Sequence, residues 1–188
     1  MTKRKRFTKA DWLSLGLGQL SKEGSTGLTV EALCAAADRT RGSFYHHFAD
    51  HGDFIGALMQ AWKQRNTLDL TEETLLQAPE ERARKLSDLT SDIDQDLERA
   101  VRQFAQSNET VHRTVREVDH LRTEFLADLY RNSGAEAEVA LDIAKIEYAA
   151  FVGSQIVWPD MPEAERQALE ARFAGLVSAA LKRSSQPD

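Results

Sequence analysis

Leu28-Thr29-Val30-Glu31-Ala32-Leu33-Cys34-Ala35-Ala36-Ala37-Asp38-Arg39-Thr40-Arg41-Gly42-Ser43-Phe44-Tyr45-His46-His47-Phe48 is the stretch on which the reading of the fold turns. Val30, Leu33, Cys34 and Ala37 recur at helical spacing, and Thr29 stands where a side-chain oxygen caps the first free N–H groups. Asp38-Arg39 ends the pattern, since Asp tolerates the left-handed conformation of a tight helix exit. Thr40 can cap a second short helix in which Phe44 and Phe48, four apart, face inward as an anchor. Two short helices joined by a three- to four-residue turn make a helix-turn-helix.

The outward side of the second helix carries Arg41, Ser43, Tyr45 and His46, so it is short, polar and basic. Gly42 lets a foreign surface come close to the backbone. Hydroxyls, an arginine and a helix start suit phosphates and base edges in a DNA major groove. Arg41 and Ser43 are expected to touch bases. Thr29, Thr40, Tyr45 and His47 are expected mainly to hold phosphates, and Arg39, Gly42, His46 and His51 complete the expected DNA-binding set.

With Trp12-Leu13-Ser14-Leu15-Gly16-Leu17 ahead of it, LTVEALCAAADRTRGSFYHHF resembles the DNA-binding domain of the tetracycline-repressor (TetR-like) family of transcriptional regulators. The resemblance covers roughly the first 60 residues. It implies a three-helix reading head followed by a helical domain that binds an effector and dimerises. The chain departs from the family pattern twice. Asp38-Arg39 stands where a glycine and an apolar residue are common, which adds a possible DNA contact at Arg39; His51 stands where a phosphate-gripping lysine is common.

Charge is unevenly placed. Residues 1–51 hold eight Lys/Arg against five Asp/Glu, whereas 52–188 hold sixteen against twenty-five. A basic head on an acidic body is the polarity expected when one end meets DNA. The single Cys34 has no partner within the chain, so it reads as a small buried residue rather than a redox centre. No apolar run is long enough for a membrane span and the N-terminus lacks the hydrophobic stretch of a signal peptide, which points to a cytoplasmic protein.

Lys3 to Lys9 reads as a basic arm too polar to pack, either reaching DNA or merely solvated. Thr8, in preference to Thr2, is expected to cap a first helix, Ala10 to Lys22, in which Gly16 and Gly18 permit close packing rather than forming a dinucleotide motif. Asp50 caps a helix from about His51 to about Thr67 with Phe54, Ile55, Leu58, Met59 and Trp62 as its apolar stripe. Further helices are expected over Glu80–Asp92, Asp94–Gln106, Glu109–Arg131, Ala135–Val157 and Glu163–Leu181, with Pro79, Asn108, Gly134, Pro159 and Pro162 as punctuation. The pattern holds no strand, so the fold class is all-α: a helix-turn-helix domain over 1–50 and a helical domain over 51–188.

The half of Ala135–Val157 around Phe151 is apolar nearly all round and must be covered on several sides. Paired with the stripe of the last helix, it is expected to form a twofold dimer through Ala149, Gly153, Ile156, Leu169, Phe173 and Leu176, which implies a near-palindromic operator on double-stranded DNA. Trp62, Phe104, His112, Glu117, Tyr148 and Phe151 are the residues expected to line an effector pocket. His47 and His51 lack a third ligand nearby, so no metal is expected. No nucleophile–base pair is visible, so the chain is read as no enzyme and as needing no cofactor. The expected function is a DNA-binding transcriptional regulator, a repressor released by an unknown small molecule. The alternatives are a constitutive DNA-binding protein without a ligand and a helical protein-interaction module.

Overall fold

The computed structural model describes residues 7–184, the side chains at 163, 180 and 182–184 excepted. In chain order the helices are α1 (Lys9–Glu23), α2 (Val30–Ala37), α3 (Arg41–Tyr45), α4 (His51–Lys63), α5 (Asp69–Leu75), α6 (Arg82–Ser91), α7 (Gln95–Ala105), α8 (Glu109–Asn132), α9 (Ala137–Val157) and α10 (Glu163–Ser184). Short 3₁₀ turns cover Gly24–Leu28 and Pro79–Glu81, and a π-helical turn covers Gln64–Leu68. No strand occurs among the described residues; the fold is all-α. No described helix is long and apolar enough to cross a membrane.

Two compact units divide the chain. The first is Met1–Asp69 with Asp94–Val118, and the second is Leu70–Ile93 with Asp119–Asp188. This division differs from a cut at residue 50, because α4 buries Phe54, Ile55, Leu58, Met59 and Trp62 in the same core as α1 to α3.

Aromatic rings fill the first unit. Phe44 meets Trp12 edge-on at 5.4 Å and lies 5.0 Å from Phe48 and 5.3 Å from Phe54, all four fully buried. Each such side chain contributes about 1.5–3 kcal/mol through burial alone. Gly16 is required for the crossing of α1 and α4, since a Cβ there would stand 2.8 Å from Phe54 Cζ and 2.9 Å from Leu58 Cδ1. Gly18 has no such role: a Cβ would meet nothing within 4 Å.

Leu97 and Val101 of α7, with Val111, Val115 and Val118 of α8, complete this core. Within it lies a carboxylate. Glu98 Oε1 accepts from Trp62 Nε1 at 2.8 Å and from Asn66 Nδ2 at 2.9 Å. The π-helical turn carries Asn66 and Thr67 inside, where a regular continuation of α4 was expected. Two neutral donors on one carboxylate oxygen offset part of the cost of burying it.

The second unit is built from smaller side chains. Ala127, Ala140, Ala144, Thr74 and Val177 are buried, and polar pairs join the helices: Tyr130 donates to Glu147 at 2.6 Å, Tyr148 to Asp119 at 2.7 Å and Arg166 Nη1 to Ser154 at 3.2 Å. Contrary to the expectation of burial on several sides, α9 is covered on one face only within the chain. Ile146, Ile156, Val157 and Trp158 are exposed, as are Leu169 and Leu176 of α10.

Candidate nucleic-acid interface

The α2–turn–α3 segment is assembled by local chemistry. Thr29 Oγ1 accepts from the N–H of Ala32 and caps α2, whose Val30, Leu33 and Cys34 are buried. Asp38 takes the left-handed conformation, φ 50° and ψ 51°, and is the one non-glycine residue with positive φ among those described. Arg39 N–H then closes on Cys34 O at 3.0 Å. Thr40 Oγ1 accepts from Ser43 N–H and opens α3. Ala, Val or Leu at Asp38 would meet the steric cost that Asp tolerates.

With Phe44 and Phe48 locked inside, α3 shows Arg41, Gly42, Tyr45 and His46 to solvent. Tyr45 stands edge-on against Phe44 at 5.4 Å, which fixes its ring while leaving the residue exposed. A Cβ on Gly42 would meet only Thr40 Oγ1 at 3.8 Å, so the open space there faces outward. Arg41 Nη1 lies 2.8 Å from Glu31 Oε1, with both side chains well exposed, 63 % and 67 %. The hydrogen bond that Arg41 donates to the Tyr45 hydroxyl and the charge of Glu31 hold the Arg41 guanidinium even more firmly protonated than usual. An exposed pair of this kind is cheaply broken, so Glu31 holds Arg41 at the rim without withdrawing it from a competing acceptor. Cys34, Ala35, Asp38, Arg39, Thr40 and Ser43 surround a shallow depression between α2 and α3.

His47, expected at a phosphate, and His51, also in the expected DNA-binding set, both have structural partners. A carbonyl can only accept, so His51 Nε2–H donates to Leu28 O at 2.8 Å, and His47 Nε2–H donates to Phe7 O at 3.1 Å. His51 thereby pins the turn before α2 to the start of α4. Arg39 donates to Asp38 O at 3.0 Å, and its guanidinium lies 5.4 Å from the Phe7 ring centre. Among the described residues no group of three His, Cys, Asp or Glu could hold a metal ion.

Phe7 corrects the expectation that Lys3 to Lys9 is too polar to pack. Thr8 forms a capping box with Asp11, and Phe7, one residue ahead of the cap, meets Trp12 at 4.9 Å in an edge-on contact. That is a hydrophobic staple, and its sequence signal, an aromatic before Thr-x-x-Asp, was available. Lys9 lies inside α1 with its ammonium 5.2 Å over Phe48. Lys3 to Arg6 fall outside the described residues.

The residues expected around an effector fall in both units. In the first, Trp62 is 1 % exposed and committed to Glu98, Phe104 packs half-buried on the core, His112 is exposed, and Glu117 pairs with Lys63 at 2.5 Å. In the second, Tyr148 and Phe151 stack at 6.5 Å, both half-buried. Gln155, one further turn along α9, was not singled out by sequence: it is 1 % exposed, and neither amide atom has a hydrogen-bond partner among the described residues. Of the residues expected at a dimer contact, Ala149, Ile156, Leu169 and Leu176 are exposed, while Gly153 and Phe173 are half-buried.

No protein-family model matches the chain, and no curated protein does. Its fold is shared with a crystal structure from Pseudomonas aeruginosa PAO1 described as a "putative transcriptional regulator". The two are 18 % identical, with 93 % of this chain and 92 % of that one covered at a TM-score of 0.68.

Proposed function

We propose that this chain is a sequence-specific DNA-binding transcriptional regulator of the tetracycline-repressor type, acting in the cytoplasm as a homodimer on a near-palindromic operator. The observation that carries the reading is the outward side of α3. Arg41, Gly42 and Tyr45 stand exposed above a buried Phe44–Phe48 anchor, within residues 1–51, where positive charge predominates. A rigid polar and basic helix face of this kind fits a major groove. Residues 1–50 supply the DNA contacts and 51–188 the dimerisation and effector functions.

The dimer is supported by the outward stripe of α9 and α10. Val139, Ile146, Ile156, Leu169 and Leu176 are 42–66 % exposed, and Ile146, Ala149, Gly153 and Ile156 recur at helical spacing along one side of α9. A second copy presenting the same stripe would complete a four-helix contact and place two heads on one operator.

Repression relieved by a small molecule is the finer part of the reading. It is supported by the buried, unpartnered carboxamide of Gln155 near the stacked Tyr148 and Phe151, because a buried amide without partners is costly unless a ligand or water satisfies it. A ligand there acts on DNA only if it prefers the non-binding arrangement.

Selection of bound duplexes from a random pool, followed by anisotropy titration, tests the proposal. A near-palindromic consensus bound by the dimer is expected. Enrichment of no sequence, with no binding to any duplex, would return the chain to the class of helical interaction modules.

A further inference from the structure

We propose that Glu31 of α2 determines specificity by acting on Arg41: its carboxylate holds the guanidinium in place and makes a phosphate the poorer acceptor, so that Arg41 is kept for the edge of a guanine. The proposal rests on the DNA-binding reading above. Two acceptors hold one side chain. Arg41 Nη1 lies 2.8 Å from Glu31 Oε1, and Arg41 also donates to the Tyr45 hydroxyl. Both acceptors are themselves anchored. Glu31 lies in the first turn of α2, which is capped by Thr29 and flanked by the buried Val30 and Leu33, and the Tyr45 ring stands edge-on against the buried Phe44 at 5.4 Å. The tip of Arg41 is tied to two helices while the side chain stays well exposed.

A guanidinium carries five N–H donors, so these two bonds leave enough of its planar fork for the paired N7 and O6 acceptors of guanine. Charge then separates the acceptors Arg41 can take. A phosphate would bring a second anion beside the Glu31 carboxylate, to a guanidinium whose charge is already balanced, whereas guanine offers neutral oxygen and nitrogen and meets no such repulsion. Water and salt screen the effect at this exposure, so it is modest at any one site. It acts on all the sites where Arg41 would meet only backbone, and specificity is a ratio of affinities. Glu31 is thus a positioning residue, and its effect on binding runs through Arg41.

Glu31→Gln removes the charge and keeps an acceptor for Arg41; because Glu31 is exposed, the variant should fold normally. Its binding to the selected duplex and to a random-sequence duplex is measured by anisotropy over a range of salt, alone and combined with Arg41→Ala. The ratio of the two affinities should fall about fivefold, through tighter binding to the random duplex. On that duplex the slope of log affinity against log salt should steepen by about 0.9 per head, as Arg41 takes up a phosphate. With Arg41→Ala in place, Glu31→Gln should leave the slope unchanged, the signature of coupled groups. An unchanged ratio in a chain that binds its selected duplex overturns this proposal alone. So does an equal gain on the random duplex with and without Arg41, which makes Glu31 a general repulsive charge, and so does a lost preference for a cytosine, which makes Glu31 a base contact itself. If the unaltered chain binds no duplex, the DNA reading fails and this proposal with it.

Discussion

The two compact units bury their helices by different means. The first is filled by the interlocked rings of Trp12, Phe44, Phe48 and Phe54 together with the buried Trp62, with a capping residue at nearly every helix start; the second brings helices together over alanines and polar pairs, and leaves branched apolar side chains outside. Under the proposed function α3 has to be presented in one geometry, and the first kind of core suits that, since ring-filled interiors are intolerant of small displacements. The second unit instead leaves Ile146, Ile156 and Leu176 exposed, the stripe on which the proposed dimer rests.

Removing a ring should separate the two most sharply. Phe44→Ala is expected to cost about 3–5 kcal/mol of stability, as cavity formation adds to the lost burial. Denaturant melting followed by the fluorescence of the three tryptophans, of which Trp12 and Trp62 are buried, measures this, and a loss below about 1 kcal/mol contradicts the rigid-head account. Gly16→Ala acts on the same core by overpacking, at about 1–3 kcal/mol, because Phe54 and Leu58 have to give way.

On the other unit, Ile156→Glu with Leu176→Glu should leave the chain folded yet convert dimer to monomer, which light scattering reads directly. A double variant that stayed dimeric would place the contact elsewhere. DNA affinity should fall as dimerisation is lost, since each head then binds alone.

A smaller effect concerns pH. Burial is the main cause that raises the Glu147 carboxyl above its usual range, with the Tyr130 hydroxyl opposing and Glu170 adding to the rise; burial and the same carboxylate push the Tyr130 hydroxyl up. A carboxyl whose folded pKa is raised binds its proton more tightly when folded. Its contribution to stability is therefore full below the unfolded pKa, about 4.3, and is lost as pH rises through the raised folded value. Glu147→Gln keeps an acceptor for Tyr130 and should melt higher than the unaltered chain at neutral pH, with the difference closing towards pH 4. A gap that widens on acidification contradicts this sign.

The sequence made the local features of the head legible because each is decided within a few residues. Thr8, Thr29, Thr40 and Asp50 cap where their hydroxyl or carboxylate can reach an N–H three residues on, and Asp38 turns left-handed where a short polar side chain must. What could not be read are pairs made by the tertiary fold. His47 with Phe7, His51 with Leu28, Trp62 with Glu98 and Arg41 with Glu31 join residues far apart in the chain, and no spacing announces them. The π-helical turn at Gln64–Leu68 is likewise set by what Asn66 finds inside. In α9 the apolar circumference was legible, but which part of it the chain itself covers was not, since that depends on how the other helices pack against it.

The central claim is that α3 reads DNA through Arg41. It is tested most directly by titrating the unaltered chain and Arg41→Ala against the selected duplex and against a duplex of random sequence at one salt concentration. Because Arg41 is exposed and takes no part in the core, the variant should fold normally. Binding to the selected duplex is expected to weaken by about tenfold or more while binding to the random duplex changes little, so that specificity at one base position relaxes. Equal losses on both duplexes would make Arg41 a phosphate contact, and no loss on either would contradict the assignment of α3 as the reading helix.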